Sequence, residues 1–417
     1  MSHKSSEMTW PTVHLRHGEA QRIQSGHPWV YVRNVNKVTQ EPEDGGVVQV
    51  RDHRRRFLGL GLYNSKSKIR VRLISRSKVE VNQAFFESRL QTALDWRQKH
   101  LGDRDCFRLV NAESDGLSGL IVDHYDGTLV VQTSSLGMDQ RLPQIVRALT
   151  KLMDPKCILE RNDSTGRRME GLEERNSVLY ERESGESNSR LTVKMNDLEW
   201  AINVEQGHKT AVYLDQYENY QKIANLVSRM KAPKVLDCFS FMGGFGLHCA
   251  KAGAKEVTFI DQSEEALDVA LSNATANGLA DRCEWVHGNV FDWLKVMTGK
   301  SGEESEQVDG PRYDLIILDP PSFTRNRASV PDALRGYKEI HLRAMRLLKP
   351  DGVLATFCCS HHIDPLTFEG TVLDAAFDNR CTLRRVDTYG QPADHPIVPS
   401  IPETEYLKGF AYQRLDF

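Results

Sequence analysis

The first 80 residues alternate apolar and polar positions over short runs. Val47-Val48-Gln49-Val50, Phe57-Leu58-Gly59-Leu60-Gly61-Leu62-Tyr63 and Ile69-Arg70-Val71-Arg72-Leu73-Ile74 each repeat at strand period. A charged turn, Asp52-His53-Arg54-Arg55-Arg56, separates the first two. This pattern predicts a small β-barrel. The period then lengthens: Phe85, Phe86, Leu90, Ala93, Leu94 and Trp96 form the apolar stripe of a helix over 83–100. Strands return from 106 to about 205, at 107–110, 120–123, 129–132 and 157–160. One helix is predicted over 138–153 and a solvated turn over 181–188.

From 233 onward strand and helix alternate. Strands are predicted at 234–239, 256–260, 283–287, 313–318, 352–357 and 383–388. Such alternation builds a parallel sheet covered on both faces, so the fold class is α/β with Rossmann-like order. The polar, acidic stretch 299–310 reads as a surface loop before the fourth strand. The segment 406–412 has strand composition without a preceding helix, as an antiparallel strand inserted into the sheet would. Three domains are expected, at 1–80, 81–205 and 206–417.

Composition adds little to this picture and charge adds more. Hydrophobic residues make up 40% and charged residues 27%, as in globular proteins, and no apolar run reaches the roughly 20 residues that cross a bilayer. The polar start of the chain leads into no apolar segment of a secretory signal. Eight cysteines without a C-x-x-C pair fit reduced thiols. These features point to the cytoplasm, with no membrane partner and no metal site. The net charge is −3, yet residues 1–80 hold 15 Lys and Arg against 7 Asp and Glu, a local +8 that leaves −11 for the rest. A basic nucleic-acid-binding module on an acidic catalytic body has this asymmetry, as does an ordinary surface of uneven charge.

The candidate chemistry lies at strand ends. Lys234-Val235-Leu236-Asp237-Cys238-Phe239 runs into Ser240-Phe241-Met242-Gly243-Gly244-Phe245-Gly246, a glycine loop opening a helix at the place where open α/β sheets bind ligands. The spacing is not G-x-G-x-x-G, which argues against a dinucleotide and suits S-adenosyl-L-methionine, a ligand without a pyrophosphate. Asp237, Phe239, Gly243 and Gly244 are thus cofactor candidates. Asp261, closing the next strand and followed by Gln262, is placed to bind ribose hydroxyls; a helix N-cap is the compatible alternative. Asn289 after the third strand either meets the adenine edge or serves as a turn residue.

After the fourth strand, Asp319-Pro320-Pro321-Ser322-Phe323 holds the chain extended and leaves carbonyls without local partners, so a planar base can be bound there by Asp319, Pro320, Pro321 and Phe323. The fifth strand ends in Cys358-Cys359-Ser360-His361-His362. A thiol beside a base-binding loop has a specific use: thiolate addition to C6 of a pyrimidine makes C5 nucleophilic enough to take a methyl group. Buried structural cysteine is the competing assignment. Lys209-Thr210 lacks the upstream glycine of a P-loop, which excludes a nucleoside triphosphate site.

At these residues the chain resembles the bacterial 23S rRNA cytosine-C5 methyltransferase family, of the ribosomal RNA large subunit methyltransferase I type. The shared segments span nearly the whole chain: His27-Pro28-Trp29-Val30, Gly61-Leu62-Tyr63-Asn64, Arg108-Leu109-Val110-Asn111-Ala112-Glu113, Gly207-His208-Lys209-Thr210, Tyr213-Leu214-Asp215-Gln216, Ala393-Asp394-His395-Pro396 and Leu407-Lys408-Gly409-Phe410. The resemblance implies a PUA domain that binds RNA, a central β-rich domain and a class I methyltransferase domain. It implies that Thr210, Asp215 and Gln216 cover the cofactor and that Cys359 is the nucleophile, with Cys358 the other thiol in play. Ala211 stands where the family has glycine, and no residue is marked as the base that takes the C5 proton. Asp319 is then both a cofactor-binding and a catalytic candidate, the latter by hydrogen bonding to or protonating the cytosine ring. RNA, and 23S rRNA in particular, is the expected partner, contacted at phosphates by Arg54, Arg55, Arg56, Lys66, Lys68, Arg70 and Arg72; a homodimer is compatible with this organisation. The alternatives are methylation of a guanine nitrogen in rRNA, or a non-catalytic RNA-binding assembly factor.

Overall fold

The computed structural model describes residues 9–163, 166–182, 190–204, 212–299, 311–324 and 326–416. Thr210, all but the first two residues of the turn expected over 181–188, and most of the acidic stretch before the fourth strand lie outside them. The chain divides into two compact units, one of Met1–Leu191, Asn203–Ala211 and Ala393–Thr404, the other of Thr192–Ile202, Val212–Pro392 and Glu405–Phe417.

In the first unit, β1 (Thr12–Leu15), β2 (Trp29–Tyr31), β3 (Val35–Thr39), β4 (Val47–Arg51), β5 (Phe57–Tyr63) and β6 (Ile69–Ser75) form one sheet in the order β2-β6-β5-β4-β1-β3. Among the described strands of this sheet, only β1 and β4 pair in parallel. Alternation turns Val13, Leu15, Val30, Val48, Val50 and Val71 into a core of their own. A second sheet follows, β7 (Cys106–Asn111), β8 (Leu120–Tyr125), β9 (Thr128–Thr133), β10 (Cys157–Asn162) and β11 (Arg175–Glu181), in the order β11-β10-β9-β8-β7. Helices Gln83–Leu101 and Leu142–Met153 cover it, burying Phe86, Leu90, Ile145 and Leu149 with Leu109, Val122, Val131 and Ile158. The helix expected over 138–153 is two, Leu136–Asp139 and Leu142–Met153. Pro143 explains the break: without an N–H it fits only the first turn of a helix.

The second unit opens with a hairpin, β12 (Arg190–Met195) and β13 (Leu198–Asn203). Its main sheet holds β14 (Lys234–Cys238), β15 (Glu256–Asp261), β16 (Cys283–His287), β17 (Tyr313–Leu318), β18 (Leu348–Cys358), β19 (Thr382–Tyr389) and β20 (Lys408–Leu415), in the order β16-β15-β14-β17-β18-β20-β19. β16 to β18 along this order are parallel, and β20 runs antiparallel between β18 and β19, as 406–412 suggested. Strand order reverses beside β14, which opens a crevice at the carboxyl ends of β14 and β17.

The boundary between the units does not fall at residue 205. The hairpin belongs to the second unit because Ala201 N–H donates to Asn273 Oδ1 at 2.8 Å and Trp200 stacks on His248. The stretch 393–404 belongs to the first. Buried Arg97 donates to Asp394 O (2.7 Å), Asp394 Oδ2 accepts the Arg108 N–H (2.9 Å), and Glu403 pairs with Arg22 and His27. Among the described residues no helix is long and apolar enough to cross a membrane.

Candidate cofactor and catalytic site

Asp237, one residue before the end of β14, is buried. One of its carboxylate oxygens accepts the Gly246 N–H at 2.8 Å and the other has no hydrogen-bond partner. The loop that follows is wound left-handed: φ is +60° at Phe239, +49° at Phe241 and +83° at Gly243. Only glycine adopts this conformation freely, and a larger residue costs about 1–3 kcal/mol. Two hydrogen bonds to β15 hold the loop there, Ser240 N–H to Ile260 O (3.1 Å) and Phe241 N–H to Asp261 Oδ2 (2.8 Å). Gly246 is required for a different reason, since a Cβ there would lie 2.1 Å from the Phe259 ring.

Asp261 thus anchors the loop, and its other oxygen accepts the Ser263 N–H at 2.9 Å. A carboxylate has lone pairs left beyond these two bonds, so ribose hydroxyls can still be accepted. Gln262 beside it is exposed. Asn289 is the N-cap of helix Val290–Met297, its Oδ1 accepting the Phe291 N–H at 2.9 Å. Its oxygen thus serves the turn role, and the amide N–H groups remain as donors on an exposed side chain.

The charge of this loop region suits a cationic ligand. Burial pushes the Asp237 carboxyl up to about 8, the nearby Asp319 and Asp261 charges push the same way, and the Gly246 N–H only partly opposes them. S-Adenosylmethionine carries a sulfonium and an ammonium against one carboxylate, so the group fits these residues. A pH dependence follows. The folded protein keeps the Asp237 proton that the unfolded chain releases above its ordinary value of 3.8, so the group costs increasing stability as pH rises toward about 8 and no more beyond. Asp237→Asn, isosteric with the protonated acid, is expected to gain Tm relative to the wild type between pH 5 and 8 without ligand. Parallel Tm curves for the two proteins would show an Asp237 that titrates normally.

Asp215 and Gln216 lie in the short turn Leu214–Gln216 that leads into helix Tyr217–Val227. Gln216 Nε2 donates to Asp319 Oδ2 at 3.1 Å, and its Oε1 accepts from Asn219 at 2.6 Å. Tyr406 O–H donates to Asp215 Oδ2 at 2.8 Å. At the end of β17, Pro320 is buried and Pro321 exposed. Phe323 packs in an aromatic cluster, 4.6 Å from Tyr337, 5.7 Å from Phe291 and 6.4 Å from Phe239.

The two thiols at the end of β18 differ sharply. Cys358 is fully buried in the sheet core, whereas Cys359 is partly exposed with its Sγ 4.0 Å from Pro320 O. Ser322 and Ser360 hydroxyls, 2.9 Å apart, tie the proline loop to the cysteine turn. Two residues without a role assigned from sequence join this group. The Tyr213 ring lies 5.1 Å from Phe241, and burial raises its hydroxyl, reinforced by Asp319, Asp215, Cys359 and Asp261. Lys408 is buried and donates to Ser360 O at 2.6 Å and Ile363 O at 2.7 Å. Both sit in segments that the resemblance marks, but a motif does not say which member reaches the site.

The basic candidates lie in the first unit. Arg54, Arg55 and Arg56 are exposed on the β4–β5 turn, which buried Asp52 organises by accepting the Arg54 and Arg56 N–H groups. Lys66 and Lys68 are exposed on the β5–β6 turn. Arg70 is half-buried, donating to Asn64 O with its guanidinium over Tyr63. Arg72 departs from expectation: its side chain is 12% exposed and pairs with Glu113 (3.5 Å) and Glu170 (3.1 Å), so it is a structural cation rather than a phosphate contact.

Residues 112–407 match the family described as S-adenosylmethionine-dependent methyltransferase, and residues 13–76 match a PUA-like domain. The chain is 37% identical over 408 residues to ribosomal RNA large subunit methyltransferase I of Photobacterium profundum, covering 96% of this chain and 98% of that protein. The protein of the same name from Vibrio parahaemolyticus is 37% identical over 405 residues, with the same coverage. Among solved structures, a SAM-dependent methyltransferase candidate from Streptococcus mutans aligns with a TM-score of 0.79 at 20% identity, covering 96% of this chain and 99% of that one. A methyltransferase candidate complexed with SAH aligns equally well, TM-score 0.79 at 21% identity over the same shares. Both structural likenesses are of fold.

Proposed function

The chain belongs to the S-adenosylmethionine-dependent methyltransferase family, with S-adenosyl-L-methionine as cofactor, and on that premise we propose that it forms 5-methylcytidine in large-subunit ribosomal RNA through a covalent Cys359 adduct. The PUA-like domain with its basic turns and the names of the curated relatives support RNA as substrate. The observation that carries the choice of base is the partly exposed Cys359 thiol against the Asp319-Pro320-Pro321 loop. Methylation of a guanine nitrogen has no use for a nucleophile there. Burial of Cys358 in the core favours Cys359 as that nucleophile.

The bound cofactor supplies an electrophilic methyl group on a sulfonium. The chain supplies the rest. Asp261 would bind the ribose hydroxyls, and the Asp261 and Asp319 charges beside the protonated Asp237 would balance the cofactor's positive charge. A target base has to leave its stack to reach the crevice, where Asp319 and the carbonyls beside Pro320 orient it. With the cofactor bound, the Cys359 thiolate would add to C6, and C5 would take the methyl group as its bond to sulfur breaks and leaves that electron pair on S-adenosylhomocysteine. Transfer of the C5 proton to a base would then restore the C5–C6 double bond and expel the thiolate with its pair.

RNA labelled with tritium at C5 of cytidine tests the assignment. Tritium is expected to appear in water in step with methyl incorporation; methyl incorporation without release points to guanine, and neither to a non-catalytic factor. For binding, neutralising Arg54, Arg55, Lys66 and Lys68 together is expected to weaken RNA affinity. It should also flatten the dependence of log K on log salt by about 0.7–0.9 for each phosphate that is no longer neutralised. An unchanged slope across a salt titration removes these residues from the RNA interface.

A further inference from the structure

The cysteine turn is fastened from β20, by a residue to which no role in the reaction is yet attached. In the antiparallel register Lys408 stands opposite Cys358, next in the chain to the thiol at issue. Its side chain is buried, and two of its ammonium hydrogens go to the carbonyls of Ser360 and Ile363, which bracket the turn after Cys359. Cys359 is thus held between the β18–β20 ladder on one side and a lysine-bound carbonyl on the other. Burying an ammonium is costly, and a neutral side chain of similar length would fill the same space. A cation there serves a purpose that packing does not.

We propose that Lys408 is a positioning residue for Cys359, fixing the turn that carries the thiol and supplying the positive charge that favours its thiolate. A nearby lysine lowers a thiol below its ordinary range. The electrostatics around the pair agree: burial lowers the Lys408 ammonium, while Cys358, Cys359, Glu405 and Asp364 oppose that shift. Tyr213 and Tyr337 also feel the Cys359 charge, and burial raises both hydroxyls, which keeps these two groups neutral. The inference rests on Cys359 as nucleophile, but the property it concerns can be measured without the reaction.

The test is alkylation of Cys359 by iodoacetamide, followed peptide by peptide as a function of pH, in the wild type, Lys408→Met and Lys408→Arg. The wild-type midpoint is expected below the ordinary thiol value of about 8.5. Lys408→Met should raise it by about one unit, slowing alkylation at pH 7 about tenfold. Lys408→Arg should restore part of the difference. Methylation by Lys408→Met should fall at pH 7 and recover toward pH 9, with cofactor affinity unchanged. An unmoved midpoint in a folded Lys408→Met protein overturns the proposal and makes Lys408 a staple of the turn. If that variant does not fold, a wild-type midpoint at or above about 8.5 overturns it just as well. Retained methylation by Cys359→Ala defeats the nucleophile assignment instead, and leaves the alkylation result to decide the Lys408 effect on the thiol.

Discussion

Cys359→Ala is expected to abolish methyl transfer, lowering kcat on the order of 10⁴-fold or more, while cofactor affinity and thermal stability stay close to wild type. The size follows from the chemistry: C5 of cytosine is a poor nucleophile until a thiolate adds at C6, and removing the nucleophile removes the route rather than trimming it. The selectivity follows from the structure. The Cys359 side chain is partly exposed and contributes nothing to the buried sheet core, to which Cys358 belongs. Cys358→Ala should therefore behave oppositely, with stability lower by about 1 kcal/mol from the cavity left behind and transfer largely retained. Single-turnover methylation and thermal unfolding of both variants separate the two cases. Retained transfer by Cys359→Ala would exclude Cys359 as the nucleophile; loss of transfer by Cys358→Ala at unchanged stability would move the nucleophile by one residue.

Asp261→Ala is expected to weaken cofactor binding by about 100-fold or more. Two hydrogen bonds from ribose hydroxyls to a carboxylate contribute about 1.5 kcal/mol each at least, and 3 kcal/mol corresponds to roughly that factor in Kd. A second contribution comes from the loop, because the Phe241 N–H loses the acceptor that helps hold a left-handed non-glycine residue. Asp261→Asn keeps acceptor oxygen for the loop but not the charge, so it should lie between the wild type and Asp261→Ala. Calorimetric titration with S-adenosylhomocysteine, which lacks the sulfonium charge, checks this. A Kd within about threefold of wild type for Asp261→Ala would reduce Asp261 to a loop anchor and a turn residue.

Much of this was legible from the chain because the relevant signals are local. Strand period gave way to helix period near residue 83, and the glycine loop, Asp261 and the Asp319-Pro320-Pro321 run each followed a recognisable strand. The α/β architecture and the cofactor could be read from those pieces. What could not be read depends on contacts between distant segments. Cys358 and Cys359 are adjacent and chemically identical, and only the alternation of β18 against its sheet makes one core and the other accessible. Lys408 reaches the cysteine turn because β20 inserts beside β18, a register no local pattern encodes. Arg72 looked like its exposed neighbours until Glu113 and Glu170, both far along the chain, closed on it. The unit boundary escaped for the same reason, with Asp394 and Glu403 drawn back to Arg97, Arg108, Arg22 and His27.

Nucleoside mass spectrometry of 23S rRNA from cells with the protein, without it, and with Cys359→Ala in its place tests the central claim most directly. The account predicts the loss of one 5-methylcytidine, both when the protein is absent and in the Cys359→Ala strain, with every methylguanosine unchanged. Loss of a methylguanosine instead, or 5-methylcytidine at wild-type level in the Cys359→Ala strain, would contradict it.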